Sequence, residues 1–297
     1  MPGAPSTSLG IDIGGTSAKL AVRTGDGAER RLATAAYASP SLEELARVVR
    51  AGLEGLGFAG ADALRVGCCV PGKFALGAGG RADTVAYSAN LPCLNGVDVG
   101  AFVGRLTGVE PGRVAVLPDA IATALGSHAA RPAPGRLLCL AMGTGVGAAL
   151  LVDGRPVTVA PGSVGHLGQV DVSLSEDAPV GPDGGRGSLE AYVGLPALRA
   201  RFGESRERLR EAIGAMGEGD PALRALARAI RIAHALYTPD EVRLLGGVGV
   251  LLSERLDTIA GLVNRDLTGV ANAGWTLHAG DDPYYAAVGA MSACSPA

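Results

Sequence analysis

Lysine is almost missing from this 297-residue chain: Lys19 and Lys73 are the only two, and arginine carries the rest of the basic charge. Acidic residues outnumber basic ones, 29 to 26, for a formal charge of −3. That balance lacks the basic footprint of a nucleic-acid or membrane-surface protein, so neither partner is expected. No apolar run reaches the roughly 18–20 residues of a spanning helix. The first residues, Met1 to Ser8, have neither a basic region nor an apolar signal core and read as a short lead. The expected compartment is the cytoplasm. The five cysteines, Cys68, Cys69, Cys93, Cys139 and Cys294, contain no C-x-x-C pair. Cys68, Cys69 and Cys139 lie in apolar runs, which favours buried free thiols over disulfides or metal ligands. With 47% hydrophobic residues, the chain has enough core for one large or two medium domains.

What the chain does have is a glycine-rich turn between two apolar runs, used twice. Leu9 to Val22 reads as strand, Gly14-Gly15-Thr16 turn and strand, with Asp12 on the first strand just before the turn. Glycines there let backbone N–H groups approach a ligand closely, which suits phosphate oxygens, and a nearby carboxylate suits a hydrated Mg²⁺. Leu137 to Leu151 repeats the plan around Gly143-Thr144-Gly145. Each copy then meets a turn and a third apolar run, so two similar halves are expected.

Along the rest of the chain, Ser41 to Leu53 reads as a helix capped by Ser41 with Glu44 at the capping-box position. Arg65 to Val70 reads as a buried strand, followed by loop sequence to Asn95-Gly96 that carries the polar residues Ser88, Asn90 and Asn95. Val114 to Leu117 is another strand. Asp119 falls where it ends and a helix over Ala120–Gly126 begins, a place suited to a helix cap or to a ligand contact. His166 lies in the loop Pro161–Gly168, flanked by glycines. Glu190 opens a short helix after the glycine-dense stretch 180–188. The segment 204–237 reads as helical, with Asp220 capping its second part and Pro221 in the first position. Glu241 to Gly249 reads as a strand running into a Gly246-Gly247 turn, with a helix near 251–267. A last helix, Pro283 to Met291, is rich in small residues.

The ordered set of hairpin, strand-end Asp, second hairpin, Gly165-His166, Gly187-Ser188-Leu189-Glu190-Ala191-Tyr192 and Leu245-Gly246-Gly247 resembles the ROK sugar kinases. They belong to the larger sugar kinase/actin/Hsp70 ATPase fold, and the likeness runs from Leu9 to about Met291. The resemblance implies an α/β fold of two ribonuclease H-like lobes with an interlobe cleft. The expected division is 1–118, 119–280 and a C-terminal helix, 281–297, packing back on the first lobe. It also implies ATP and Mg²⁺, with Asp119 as the general base on a sugar hydroxyl. Asp12 would orient Mg²⁺ through water. Gly14, Gly15, Thr16, Lys19, Gly143, Thr144 and Gly145 would hold phosphates, and Gly246 and Gly247 would flank the adenosine. Asn90, His166 and Glu190 would join Asp119 in holding a small sugar-like substrate. A homodimer is expected, without the winged-helix segment of ROK repressors.

This chain also departs from the family pattern. Pro118 stands where the family usually has Asn, and Ser163 where it usually has Glu, so two grips on a glucose-like ring are gone. An amino sugar or cyclitol then fits better than glucose. The family's Cys-x-Cys-Gly-x-x-Gly-Cys run is replaced by Gly181, Asp183 and Ser188, so zinc is not expected. Asp183 or a backbone carbonyl is then the expected partner of the His166 ring. The alternative to a kinase is a catalytically impaired sugar or nucleotide sensor.

Overall fold

The structure is a computed structural model that describes residues 7–58, 65–77, 80–160 and 162–294. Most of the expected N-terminal lead, Pro161 of the Gly-His loop and the last three residues lie outside these. The chain divides into two compact units. The first comprises Met1–Arg131, Thr158–Val164 and Tyr284–Ala297, and the second Pro132–Val157 and Gly165–Pro283.

In the first unit, β1 (Ser8–Ile13), β2 (Ala18–Arg23) and β3 (Glu29–Ala33) form an antiparallel meander. The helix α1 (Leu42–Gly55) follows, its start fixed by the Ser41 hydroxyl accepting the Glu44 N–H at 3.1 Å. Its apolar positions Leu45, Val49 and Leu53 are buried against the sheet. Next, β4 (Arg65–Val70) returns parallel to β1. β5 (Lys73–Ala75) and β6 (Thr84–Tyr87) make a hairpin where loop sequence was expected. Three- and four-residue strands are too short to show an alternation in sequence, and here Phe74 and Val85 pair inward across the ladder. After α2 (Val99–Thr107), β7 (Val114–Pro118) pairs parallel with β4 and passes directly into α3 (Asp119–Ala130). The strand order is β3-β2-β1-β4-β7.

The second unit repeats that order. β8 (Arg136–Met142), β9 (Val146–Val152) and β10 (Arg155–Pro156) are antiparallel. Four helices follow: α4 (Leu189–Val193), α5 (Leu195–Phe202), α6 (Arg206–Gly214) and α7 (Pro221–Tyr237). β11 (Glu241–Leu245), α8 (Gly246–Leu251), α9 (Leu256–Arg265) and β12 (Thr276–Ala279) complete it. β11 lies parallel between β8 and β12, giving β10-β9-β8-β11-β12. In α7, Asp220 accepts the Ala222 N–H and Pro221 occupies the first turn, as its sequence indicates. The helical segment 204–237 comprises α6 and α7, separated where Gly217 and Gly219 interrupt the helical pattern ahead of the Asp220 cap.

The last helix, α10 (Tyr285–Ala293), belongs to the first unit. It lies against β1, β4 and α3 at backbone distance. A Cβ on Gly67 would sit 1.8 Å from the Ala290 carbonyl oxygen, and one on Gly289 would sit 1.8 Å from that of Ala122. Only glycine allows such an approach. This packing draws α3 into the first unit, so the expected boundary after 118 falls after Arg131.

Candidate functional site

The β1–β2 turn places Asp12 in a buried position, 7% exposed. Its cross-strand partner on β2 is Lys19, whose Nζ stands 3.5 Å from Oδ2. On the other side, the neighbour on β4 is Cys69, whose thiol donates weakly to Oδ1 at 3.7 Å. Burial raises the Asp12 pKa, and the Lys19 ammonium opposes that shift. The turn itself is braced. Gly14 N–H donates to Ser17 O at 3.1 Å, and the Tyr37 hydroxyl donates to Gly14 O at 2.6 Å. Asn90 packs beside Gly15, its Cβ 3.4 Å from where a Gly15 side chain would begin.

Asp119 is the first residue of α3, one step past the end of β7. It is half-buried, and its Oδ1 accepts the Ala120 N–H at 2.7 Å. Burial first, and the negative charge of Asp12 second, push its pKa up to about 7. The two carboxylates therefore share one electrostatic environment, with a proton near its midpoint at neutral pH. Pro118 holds the cap position of α3 with no side-chain hydrogen bond.

In the second unit, the β8–β9 turn is closed by Gly143 N–H donating to Gly145 O, and Leu195 N–H donates to Gly143 O. Glu190, 7% exposed on α4, accepts the Val146 N–H through Oε2 at 2.7 Å. A Cβ on Gly145 would stand 2.5 Å from that oxygen, so Gly145 sits directly over the carboxylate. Burial raises the Glu190 pKa, and the Val146 hydrogen bond opposes it. Gly246 adopts φ +80, and a Cβ there would lie 2.5 Å from Met142 O. This single left-handed residue replaces the expected Gly-Gly turn, and α8 begins at once, earlier than the helix expected near 251. Positions 143 and 247 face open space. His166 is exposed at the start of a turn over Leu167–Gln169.

The sequence model of the ROK family matches residues 8–291. The chain belongs to the ROK family. Its fold agrees with the ROK family glucokinase from Streptomyces griseus, whose structure holds glucose and AMPPNP. The TM-score is 0.74 at 21% identity, covering 97% of this chain and 98% of that one. The ROK hexokinase from Thermus thermophilus gives a TM-score of 0.70 at 23% identity, with 97% of each chain covered. A bifunctional NanE/NanK enzyme from Brucella melitensis is 27% identical over 219 residues. The match takes in 66% of this ROK chain but spans only 40% of that relative's length. The actin-like α/β fold follows from these likenesses, together with the repeated five-stranded order.

ROK proteins commonly hold zinc with three cysteines of the loop before α4 and the Gly-His histidine. The residues of this member do not fit that ion. Gly181 has no donor side chain. The Ser188 hydroxyl accepts the Ala191 N–H as the cap of α4. The Asp183 carboxylate accepts the Gln169 amide at 3.0 Å through Oδ2. Among the described residues, no group of three or more His, Cys, Asp or Glu is placed to hold a metal.

Three residues escaped the sequence reading: Tyr37, Cys69 and Gln169. Cys69 had a usable signal, since a parallel strand in register beside β1 must bring one residue next to Asp12. Tyr37 and Gln169 act from loops, which carry no periodicity to read.

Proposed function

We propose that this ROK protein phosphorylates a hydroxyl of a small sugar or sugar-like molecule, with ATP as donor and Asp119 as general base. The observation that carries this reading is the Asp12–Asp119 pair. A carboxylate near pKa 7 at a strand end is matched to taking a proton from an alcohol at neutral pH. In the reaction the hydroxyl oxygen bonds to the γ-phosphorus as the bond to the ADP oxygen breaks, and its proton passes to Asp119. Asp12 would hold Mg²⁺ through water. Two carboxylates against one ammonium leave negative charge that suits a hydrated cation. When bound, Mg²⁺ neutralises charge on the transferring phosphate.

The remaining roles are carried over from the family pattern, residue by residue. The braced turn of Gly14, Gly15 and Thr16, with Lys19 beside it, and the turn of Gly143, Thr144 and Gly145 are assigned to phosphate oxygens. Gly246 and Gly247 are assigned to the adenosine. Asn90, His166 and Glu190 are assigned to sugar hydroxyls. Pro118 and Ser163 cannot reproduce the two grips the family pattern puts there, which favours an amino sugar or cyclitol over glucose. A homodimer is part of the same reading, and light scattering behind size exclusion measures it directly.

A coupled ADP-release assay over hexoses, amino sugars, N-acetylhexosamines and cyclitols tests the activity. Turnover on at least one, with glucose a poor substrate, is the expected result. Tight sugar or nucleotide binding with no ADP release from any of them would replace the kinase with a sensor.

A further inference from the structure

The β1–β2 turn is gripped from one side by the segment that follows β3. The Thr34 N–H donates to Ala18 O at 2.9 Å, and the Ala18 N–H donates to Thr34 Oγ1 at 3.0 Å. Tyr37, further along the same segment, makes two bonds to the turn itself. Its backbone N–H donates to Thr16 O at 2.9 Å, and its hydroxyl donates to Gly14 O at 2.6 Å. The phenol is anchored from behind, since Tyr37 is 6% exposed and belongs to the buried apolar cluster of Ile13, Leu20 and Leu45. A ring fixed in a close-packed core presents its hydroxyl at one point.

These bonds decide where the N–H groups of the turn point. Among the described residues no peptide bond is cis. In a planar trans peptide, a carbonyl and the N–H of the next residue point in opposite directions. Gly14 O and Thr16 O are drawn toward Tyr37, which sends the Gly15 and Ser17 N–H groups away from it. The N–H groups of Gly15, Thr16 and Ser17 have no acceptor among the described residues, and none of the three residues is buried. Successive backbone N–H groups without an internal acceptor make a concavity suited to an anion.

We propose that Tyr37 is a positioning residue for the nucleotide phosphates, holding the Gly14–Ser17 turn with its N–H groups presented before ATP arrives. The proposal rests on the phosphate role given to this turn above. Without the hydroxyl, Gly14 O loses its partner, and the Gly14–Gly15 peptide has no side chain to restrain it. ATP must then order the turn as it binds, and its affinity falls by the cost of that ordering.

The test compares wild type with Tyr37→Phe, which keeps the ring in the core and removes only the hydroxyl. Displacement titrations against a fluorescent nucleotide should show ATP bound about five- to tenfold more weakly by the variant. Adenosine, which carries no phosphate, should bind both proteins equally well. Steady-state kinetics should show the ATP KM raised with the sugar KM unchanged. In wild type alone, ATP should slow amide hydrogen exchange at Gly15 and Ser17, and adenosine should not. An ATP affinity unchanged in Tyr37→Phe would overturn the proposal, because the hydroxyl then has no part in phosphate binding. A loss shared equally by ATP and adenosine would also overturn it, as general distortion, and so would exchange at Gly15 and Ser17 that ATP leaves unmoved. If wild type binds ATP but phosphorylates no sugar, the kinase reading fails, while a loss confined to ATP still supports the role of Tyr37. A wild type that binds no ATP would overturn both.

Discussion

At the scale of single residues, the proposed role of Asp119 as general base ties both activity and stability to its protonation. As the base it must be ionised, so kcat/KM should rise about tenfold per pH unit below about 7 and level off above it. The stability effect has the opposite sense. The folded carboxyl, raised to about 7, holds its proton where the unfolded one, near 3.8, has lost it. Its contribution is therefore greatest below about pH 4 and falls away as pH climbs to about 7. Asp119→Asn should remove this fall, so melting temperatures at pH 5 and pH 8 should differ less in the variant than in wild type. A larger difference in the variant would contradict the assignment. Lys19 offers a second test, as the cation recorded beside Asp12. Lys19→Met should raise the ATP KM by about tenfold, the cost of losing a charge-assisted contact, and leave the sugar KM almost unchanged.

At the scale of elements, stability in the first unit depends on the absence of side chains where α10 meets β4. Gly67→Val should cost at least about 3 kcal/mol in denaturant unfolding, because the new Cβ collides with the Ala290 carbonyl and neither backbone can yield cheaply. In the second unit, Asp220 both caps α7 and pairs with Arg201 through two hydrogen bonds. Asp220→Ala should cost about 1–2 kcal/mol by the same measurement. These elements differ in how far sequence reveals them. The capped helices α1 and α7 were readable because Ser41, Asp220 and Pro221 announce their starts. The β5–β6 hairpin was not, since its two short strands lie among Pro and Gly that also describe loops.

For the whole molecule, the repeat was the readable feature. Two Gly/Thr turns between apolar runs implied two similar halves, and both sheets have the same order of strands and directions. The division between units was less readable. It depends on α3 contacting α10 across more than 150 residues of sequence, a pairing made by Gly126 and Gly289 that no local pattern signals. The residues proposed for the site, from Asp12 to Glu190, came from an ordered series of short motifs and so could be named in advance. Their supports, Tyr37 on Gly14, Cys69 on Asp12 and Gln169 on Asp183, could not, since each joins segments distant in sequence.

The most direct measurement for the central claim is ³¹P NMR of wild type and Asp119→Asn incubated with ATP, Mg²⁺ and the best substrate of the sugar panel. Wild type should give a sugar phosphate ester resonance growing in step with ADP. Asp119→Asn should bind both substrates and form the ester at least about 100-fold more slowly, the share of rate carried by a general base. Ester formation at the wild-type rate by Asp119→Asn, or no ester from wild type with any sugar, would contradict the account.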